Sequence, residues 1–305
     1  MLSTHILQRC PLHLTAARRL DGCHGGKTGP TLTGLLCGLL ALALNAPCAV
    51  AVDDPVPSAK ADVPARPSGE KKTKEPSRYK TRRDHDPDGI GKFYMGREIA
   101  HVMGFQGIDW LERPEREQEE SLVQLVDALK LEPGMIVADI GAGSGVLTLM
   151  MARKVGAAGK VLAVDVQQEM LDRLAGKLKL QKIDNVELIK GEERTPSLAK
   201  ATVDLAIMVD VYHEFAFPYE MIQGIAAALK PGGRVVFVEY RKEDPAVPIK
   251  LVHKMTQKQV RREIEQAEFQ LKWKETIGVL PRQHIIIFER EPSGVAQPAN
   301  QDSAN

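Results

Sequence analysis

The 305-residue sequence has only four cysteines, Cys10, Cys23, Cys37 and Cys48, and none beyond that last position. The rest of the chain therefore contains no disulfide, no thiol nucleophile and no cysteine-ligated zinc. Aromatic side chains are scarce too. The 7 Phe, 5 Tyr and 2 Trp all follow position 78, so the segment that carries the thiols has no aromatic core material. Net charge is almost absent: 41 basic against 40 acidic residues give a formal +1, without the chain-wide field of a nucleic-acid-binding protein. The apolar run at residues 35–44 stops at ten residues, where a membrane-spanning helix needs about 20. What is present is a 43% hydrophobic composition and enough length for one large domain or two small ones.

Residues 1–31 set Arg9, Arg18, Arg19 and Lys27 against Asp21 alone, ahead of the 35–44 run and a small-x-small pattern, Ala49-Val50-Ala51. This reads as a signal peptide over 1–51 and a periplasmic or secreted protein. An uncleaved signal acting as membrane anchor is the alternative. Arg18-Arg19 is followed by Leu20-Asp21, which does not suit a twin-arginine signal. Loss of 1–51 removes four basic residues and one acidic residue, turning the formal charge from +1 to −2. Residues 52–89 hold six prolines and few large apolar side chains, so ordering them costs entropy that burial does not offset. They read as a disordered Pro/Lys-rich linker. Within it, 71–83 carries seven Lys or Arg and one Glu: a solvated tether, or a weak contact with a membrane or other anionic surface.

Periodicity organises the remainder. Ile99, Val102 and Met103 predict a short helix over 94–105, which with Trp110 forms an N-terminal helical lid over 90–117. Leu122, Leu125, Val126 and Leu129 predict a helix over 115–130 after Pro114. From 118 to 291, apolar strands alternate with amphipathic helices: strands at 135–140, 160–165, 186–190, 203–209 and 234–239, helices at 146–155, 169–180 and 219–229. That rhythm is α/β, a doubly wound, mostly parallel sheet covered on both faces. Thr256 with Gln259 forms a capping box for a further helix. The strands at 269–277 and 284–290 are joined too closely for a parallel crossover and must pair antiparallel. The result is seven strands, the last antiparallel, with a disordered tail over 292–305.

Asp139-Ile140-Gly141-Ala142-Gly143-Ser144-Gly145 lies where the first strand of this sheet enters its first helix, at the ligand crevice of such folds. A dinucleotide fingerprint fails because Val146 stands where a small residue belongs, and no lysine follows to make a phosphate loop. A nucleophile elbow fails because Ala142 and Val146 flank Ser144. A ligand carrying an ammonium and a sulfonium instead of pyrophosphate suits the carboxylate of Asp139. Asp165, closing the second strand, suits both hydroxyls of a ribose. The acid-x-G-x-G-x-G loop, Asp165, Pro231-Gly232-Gly233 and the antiparallel last strand together resemble the Rossmann-like class I S-adenosylmethionine-dependent methyltransferases. Leu229-Lys230-Pro231-Gly232-Gly233 resembles the quinone-biosynthesis branch. Tyr212-His213-Glu214, Glu239-Tyr240-Arg241 and Leu280-Pro281-Arg282-Gln283-His284 resemble bacterial exported methyltransferase-domain proteins of unassigned substrate.

The resemblance implies that S-adenosyl-L-methionine is held by Asp139, Gly141, Gly143, Gly145, Asp165 and Asp210, with the adenine taken by Glu192 or Glu193. Methyl transfer to an oxygen or an acidic carbon needs a base near the methyl group. His213 and Glu214 are the catalytic candidates, and a core histidine held by a backbone carbonyl is the other reading of His213. His253, His284, Tyr240 and Arg241 are candidates for walls of an acceptor pocket. No metal is expected from His213-Glu214, because Phe217 breaks H-E-x-x-H. The leading function is methylation of a small-molecule acceptor. The alternatives are an exported binding or scaffold protein with no catalysis, and an NAD-dependent oxidoreductase, which Val146 disfavours.

Overall fold

The computed structural model describes residues 78–292. The expected leader at 1–51, the linker up to 77 and the tail from 293 lie outside the described residues. Among the described residues no helix is long and apolar enough to cross a membrane.

The first described elements are strands, not a helical lid: β1 (Tyr79–Thr81), β2 (Gly89–Tyr94) and β3 (Arg97–Ala100) form an antiparallel sheet in that order. The helix expected over 94–105 is absent because Met95 and Gly96 both take positive φ, 48° and 94°, which turns the chain into a tight hairpin. The i, i+3 spacing there is coincidence: Ile99 is fully buried, whereas Val102 is 52% exposed. The linker also ends earlier than 89. Tyr79 meets the Tyr94 ring at a tilt of 39° and Phe217 edge-on, with ring centroids 5.5 and 5.8 Å apart, and this aromatic contact holds β1 on the domain.

A 3-10 turn (Phe105–Gly107) and α1 (Ile108–Leu111) follow. The single helix expected over 115–130 is two, α2 (Arg116–Glu120) and α3 (Leu122–Ala128), broken at Ser121 with φ of 54°. The break lets the Glu120 carboxylate and the apolar face of α3 both turn inward. Glu120 accepts hydrogen bonds from Arg113, Arg116 and Tyr240.

The main domain then alternates β4 (Ile136–Ile140), α4 (Val146–Val155), β5 (Lys160–Asp165), α5 (Gln168–Gln181) and β6 (Val186–Lys190). It continues with β7 (Val203–Val209), α6 (Pro218–Ala228), β8 (Leu229–Tyr240), α7 (Gln257–Ile264), β9 (Leu271–Ile277) and β10 (Gln283–Arg290). The seven-stranded sheet has the order β6-β5-β4-β7-β8-β10-β9. Strands β4 to β8 pair in parallel, and β10 is antiparallel to both of its neighbours. Residues alternate between two buried faces: Leu205 and Ile207 pack with α3 and α4, Ala206 and Met208 with α6 and the three-stranded sheet. This two-sided burial is why the strands read as unbroken apolar runs. The chain leaves β4 in one direction through β5 and β6 and returns beside it as β7. The crevice at this reversal, outside the carboxyl ends of β4 and β7, is where such sheets bind ligands.

At the start of α7 the Thr256 side chain accepts from the Gln259 backbone N–H at 3.0 Å, as the capping box requires. Replacing Thr256 with Ala is expected to cost about 1 kcal/mol of stability, measurable as a shifted urea midpoint at unchanged slope.

Candidate active site

Three glycines give the loop after β4 its shape. Gly141, Gly143 and Gly145 have φ of 73°, 54° and 82°, in the left-handed region that side chains disfavour. A Cβ on Gly141 would lie 2.6 Å from Val211 Cγ1, so the loop backbone comes hard against the residues after β7. Gly141 and Ala142 donate to the Val164 carbonyl at 2.8 and 3.0 Å, which ties the loop to the end of β5. There Asp165 accepts from the backbone N–H groups of Gly143 at 2.9 Å and Gln167 at 2.8 Å. Burial raises the Asp165 pKa, and those two backbone donors oppose the shift.

Beyond β7, Asp210 has φ of 54° and sits at the mouth of the crevice. Its Oδ2 accepts from Gln283 Nε2 at 2.7 Å, while Oδ1 is buried without a partner. Burial, then the charges of Glu120 and Glu239, push this carboxyl well above the usual range. The next turn, Tyr212–Glu214, carries both catalytic candidates. His213 is 2% exposed, and its Nδ1 lies 2.6 Å from Glu239 Oε2 at the end of β8. Its Nε2 lies 3.2 Å from Nδ1 of His253. Burial pushes His213 down to about 4 and Glu239 up to about 8, which keeps the pair uncharged near neutral pH. The alternative of a core histidine on a backbone carbonyl is replaced by this buried acid. Glu214 accepts from the Met103 N–H at 3.3 Å, and burial raises it to about 7.

One cavity of about 720 Å³ joins these parts. Gly141, Gly143, Asp139, Asp165, Glu192 and Glu193 line it, as do Asp210, His213, Glu214, His253 and Tyr240, whereas Gly145, expected among them, is buried at the start of α4. Two wall candidates are elsewhere. His284 is paired with Glu239 in the sheet and is buried, with Nε2 unpartnered. Arg241 donates to the carbonyls of Leu280 and Gln283 and so braces the turn before β10. The segment expected to form a helical lid is loop and α1 instead, and its Met103, Trp110 and Leu111 line the cavity, with Trp110 48% exposed. Gln167 clasps this segment, donating to Met103 O at 2.9 Å and accepting from Phe105 N–H at 2.7 Å. Nothing in local spacing singles out Gln167. Glu239 carried a readable signal, an acid at the end of an apolar strand, whereas Glu120 lies in the polar run Arg116-Glu117-Gln118-Glu119-Glu120-Ser121 and had none.

Residues 131–280 match a family described as a methyltransferase domain. Among curated proteins, the chain is 29% identical over 116 residues to a demethylmenaquinone methyltransferase of Lactococcus lactis, covering 38% of this chain and 45% of that one. It is 30% identical over 120 residues to a ubiquinone/menaquinone biosynthesis C-methyltransferase of Idiomarina loihiensis, covering 38% and 47%. It thus spans about half the length of the curated relatives it matches. The crystal structure of an S-adenosylmethionine-dependent methyltransferase from Aquifex aeolicus superposes with a TM-score of 0.58 at 24% identity, covering 62% of this chain and all, 100%, of that one. A second, from Methanococcus maripaludis, gives 0.52 at 15%, covering 63% and 94%. At those identities the superpositions bear on the fold. Residues 131–280 are thus a methyltransferase domain on a Rossmann-like sheet, and the relatives support a class I S-adenosylmethionine-dependent methyltransferase.

The cofactor of class I methyltransferases is S-adenosylmethionine, and the residues present fit it. The glycine loop is a cradle that side chains would fill, since a Cβ at Gly143 would already touch Leu111 Cδ1 of α1 at 3.0 Å. Asp165 would hold the ribose. Glu192 and Glu193 are both exposed and both line the cavity, so the structure does not single out one of them for the adenine. Asp139, 4% exposed, accepts from Thr148 Oγ1 at 2.5 Å.

Burial pushes the Asp139 carboxyl up from its ordinary 3.8 to about 6; Thr148 and Arg116 oppose the shift and the Asp165 charge adds to it. Below its ordinary pKa, Asp139 is protonated in the folded and the unfolded chain alike. Between the two values the unfolded chain ionises and the folded domain does not, so this group lowers stability as pH rises to about 6 and then costs a constant amount. A cationic ligand beside Asp139 expels the proton. Affinity for S-adenosylmethionine is therefore expected to rise with pH up to about 6, by at most about tenfold per pH unit, and then level off. Calorimetric titration at several pH values checks this, and Asp139→Asn should flatten the profile.

Proposed function

We propose that the protein is an S-adenosylmethionine-dependent methyltransferase that methylates an oxygen or a carbon of a small-molecule acceptor. The observation that carries this reading is the single cavity of about 720 Å³, with the glycine loop and Asp165 along one part and His213, Glu214 and His253 along another. That volume is of the size small-ligand sites have. The Idiomarina loihiensis relative, a C-methyltransferase of quinone biosynthesis, favours a carbon acceptor of that chemical kind. When bound, S-adenosylmethionine supplies an electrophilic methyl group on sulfur.

The chain's own residues orient the acceptor and exclude water. Trp110 and Leu111 line the cavity, and fixing the reactants in near-attack geometry is worth about 7–11 kcal/mol of barrier. His213, steadied by Glu239, and Glu214, steadied by the Met103 N–H, face the acceptor and receive its proton. Export through a cleaved leader at 1–51 belongs to the same proposal: the mature protein from fractionated cells should begin at Val52, and a mature N-terminus at Met1 refutes the cleavage.

Calorimetry with S-adenosylmethionine and with NAD tests the cofactor, and a labelled methyl donor added to cell extract tests transfer. Binding of S-adenosylmethionine without product from any extract would favour a non-catalytic scaffold, and no binding at millimolar concentration would overturn the methyltransferase reading. Asp165→Asn is expected to weaken cofactor binding at least about tenfold, through loss of charge-assisted hydrogen bonds to the ribose.

A further inference from the structure

His213 and His253 stand on two neighbouring 3-10 turns, Tyr212–Glu214 and Leu251–His253, that face each other across one wall of the cavity. Three ligand-type atoms converge there. His213 Nε2 and His253 Nδ1 are 3.2 Å apart, and Glu214 Oε1 is 3.9 Å from the first and 3.8 Å from the second. A triangle with those sides has its centre about 2.1 Å from every corner, which is the bond length of a divalent transition metal to imidazole nitrogen or carboxylate oxygen. The two imidazole planes cross at 86°, and the 3.2 Å hydrogen bond between their nitrogens is the contact that a shared cation would replace.

The surroundings are those of a metal ligand set. His213 turns its other nitrogen, Nδ1, onto Glu239 Oε2 at 2.6 Å, the carboxylate–histidine arrangement that fixes the ring of a coordinating histidine. Glu239 is fully buried, and its Oε1 has no hydrogen-bond partner. The Arg97 guanidinium nearby donates to both Glu263 oxygens and to the His213 carbonyl, so none of these hydrogen bonds reaches Glu239 or Glu214. The H-E-x-x-H test misses such a site, because its third ligand lies 40 residues beyond His213 rather than four.

We infer that His213, His253 and Glu214 bind a divalent transition-metal cation on the acceptor side of the cavity. Two imidazoles and one carboxylate suit zinc and its first-row neighbours rather than magnesium or calcium, and three protein ligands leave a coordination position open toward the cavity. The role of the cation rests on the methyltransferase reading, although its binding does not. At the open position it takes an acceptor oxygen, from a phenol, an enol or an enolisable carbonyl, and the acceptor proton leaves to solvent as the oxygen binds. With the cation bound, His213 and Glu214 are its ligands, and neither takes the acceptor's proton.

The full chain, stripped with chelator and dialysed, should take up one equivalent of Co²⁺ with the intense visible absorption of four- or five-fold coordination, and Zn²⁺ should displace it. His253→Ala, at a half-exposed position, should abolish that absorption. Glu239→Gln should weaken uptake about 10–100-fold, as loss of a histidine-orienting carboxylate does. His213→Asn should behave as His253→Ala does, with circular dichroism confirming its fold. No stoichiometric uptake by the wild-type chain overturns the inference, as does uptake that His253→Ala leaves unchanged. Calorimetry with S-adenosylmethionine on the same stripped protein reads the cofactor site alone, so a failed cation site and a failed methyltransferase reading give different results.

Discussion

Replacing Glu263 with Ala is expected to destabilise the domain by about 3–5 kcal/mol, a fall in Tm of about 10 °C. The Glu263 side chain on α7 is fully buried, and its two oxygens accept from Arg97 Nε and Nη2 at 2.9 and 3.0 Å, from Tyr212 at 2.7 Å and from Gln259 at 2.6 Å. Loss of that carboxylate strands the Arg97 guanidinium in the interior, where an unpaired charge costs far more than the pair contributes. The remaining Arg97 nitrogen, Nη1, donates to the His213 carbonyl at 3.0 Å. The pair therefore joins the hairpin, α7 and the turn that carries His213, and the substitution should lower transfer activity as well as stability. Glu263→Gln, which keeps hydrogen bonds and loses the charge, is expected to lose less. Arg97→Met with Glu263→Leu should recover part of the stability, because no unpaired charge remains. A Glu263→Ala protein within 1 °C of wild type would show that Arg97 reaches water.

Glu263 also illustrates what was hidden. In sequence it is one charge in Arg261-Arg262-Glu263-Ile264-Glu265, on a helix whose polar face looks solvated, and only tertiary packing turns it inward. The cofactor end was legible because it is local. The glycines, Asp139 and Asp165 sit at the ends of two consecutive strands, and loop geometry there depends on residues within a few positions of one another. The sheet was legible for a related reason, since strands buried on both faces must be apolar throughout. The acceptor wall was half legible. His213-Glu214 stood out, but the partners that give them meaning, Glu239 and His253, come from 26 and 40 residues away. The hairpin was missed because Met95 is an unusual residue for positive φ; Gly96 beside it was the available signal. The break at Ser121 has no such marker, and follows from the inward pull on Glu120 by two arginines.

The second large effect separates two glycines of one loop. Gly141→Val is expected to weaken S-adenosylmethionine binding about 1,000-fold while Tm falls by only a few degrees. At φ of 73° a β-branched residue is a severe outlier, and its Cβ would overlap Val211 at 2.6–2.7 Å. Val211 is partly exposed at the cavity, so the loop and its neighbour can relax away from each other without opening the core. The relaxed loop is still folded but is no longer the cradle. A strain of about 4 kcal/mol then appears as a reduced population of the binding-competent loop, and affinity falls by that fraction. Gly145 has no such escape. Its Cβ would lie 2.2 Å from Cδ1 of Leu174, a fully buried residue of α5, and Gly145 is the residue that starts α4. Gly145→Val should therefore spend its cost on the core and lower Tm by several degrees more than Gly141→Val. Calorimetry and thermal melts on the two variants read the difference, and equal Tm losses would mean that the loop is clamped at Gly141 as rigidly as it is at the helix start.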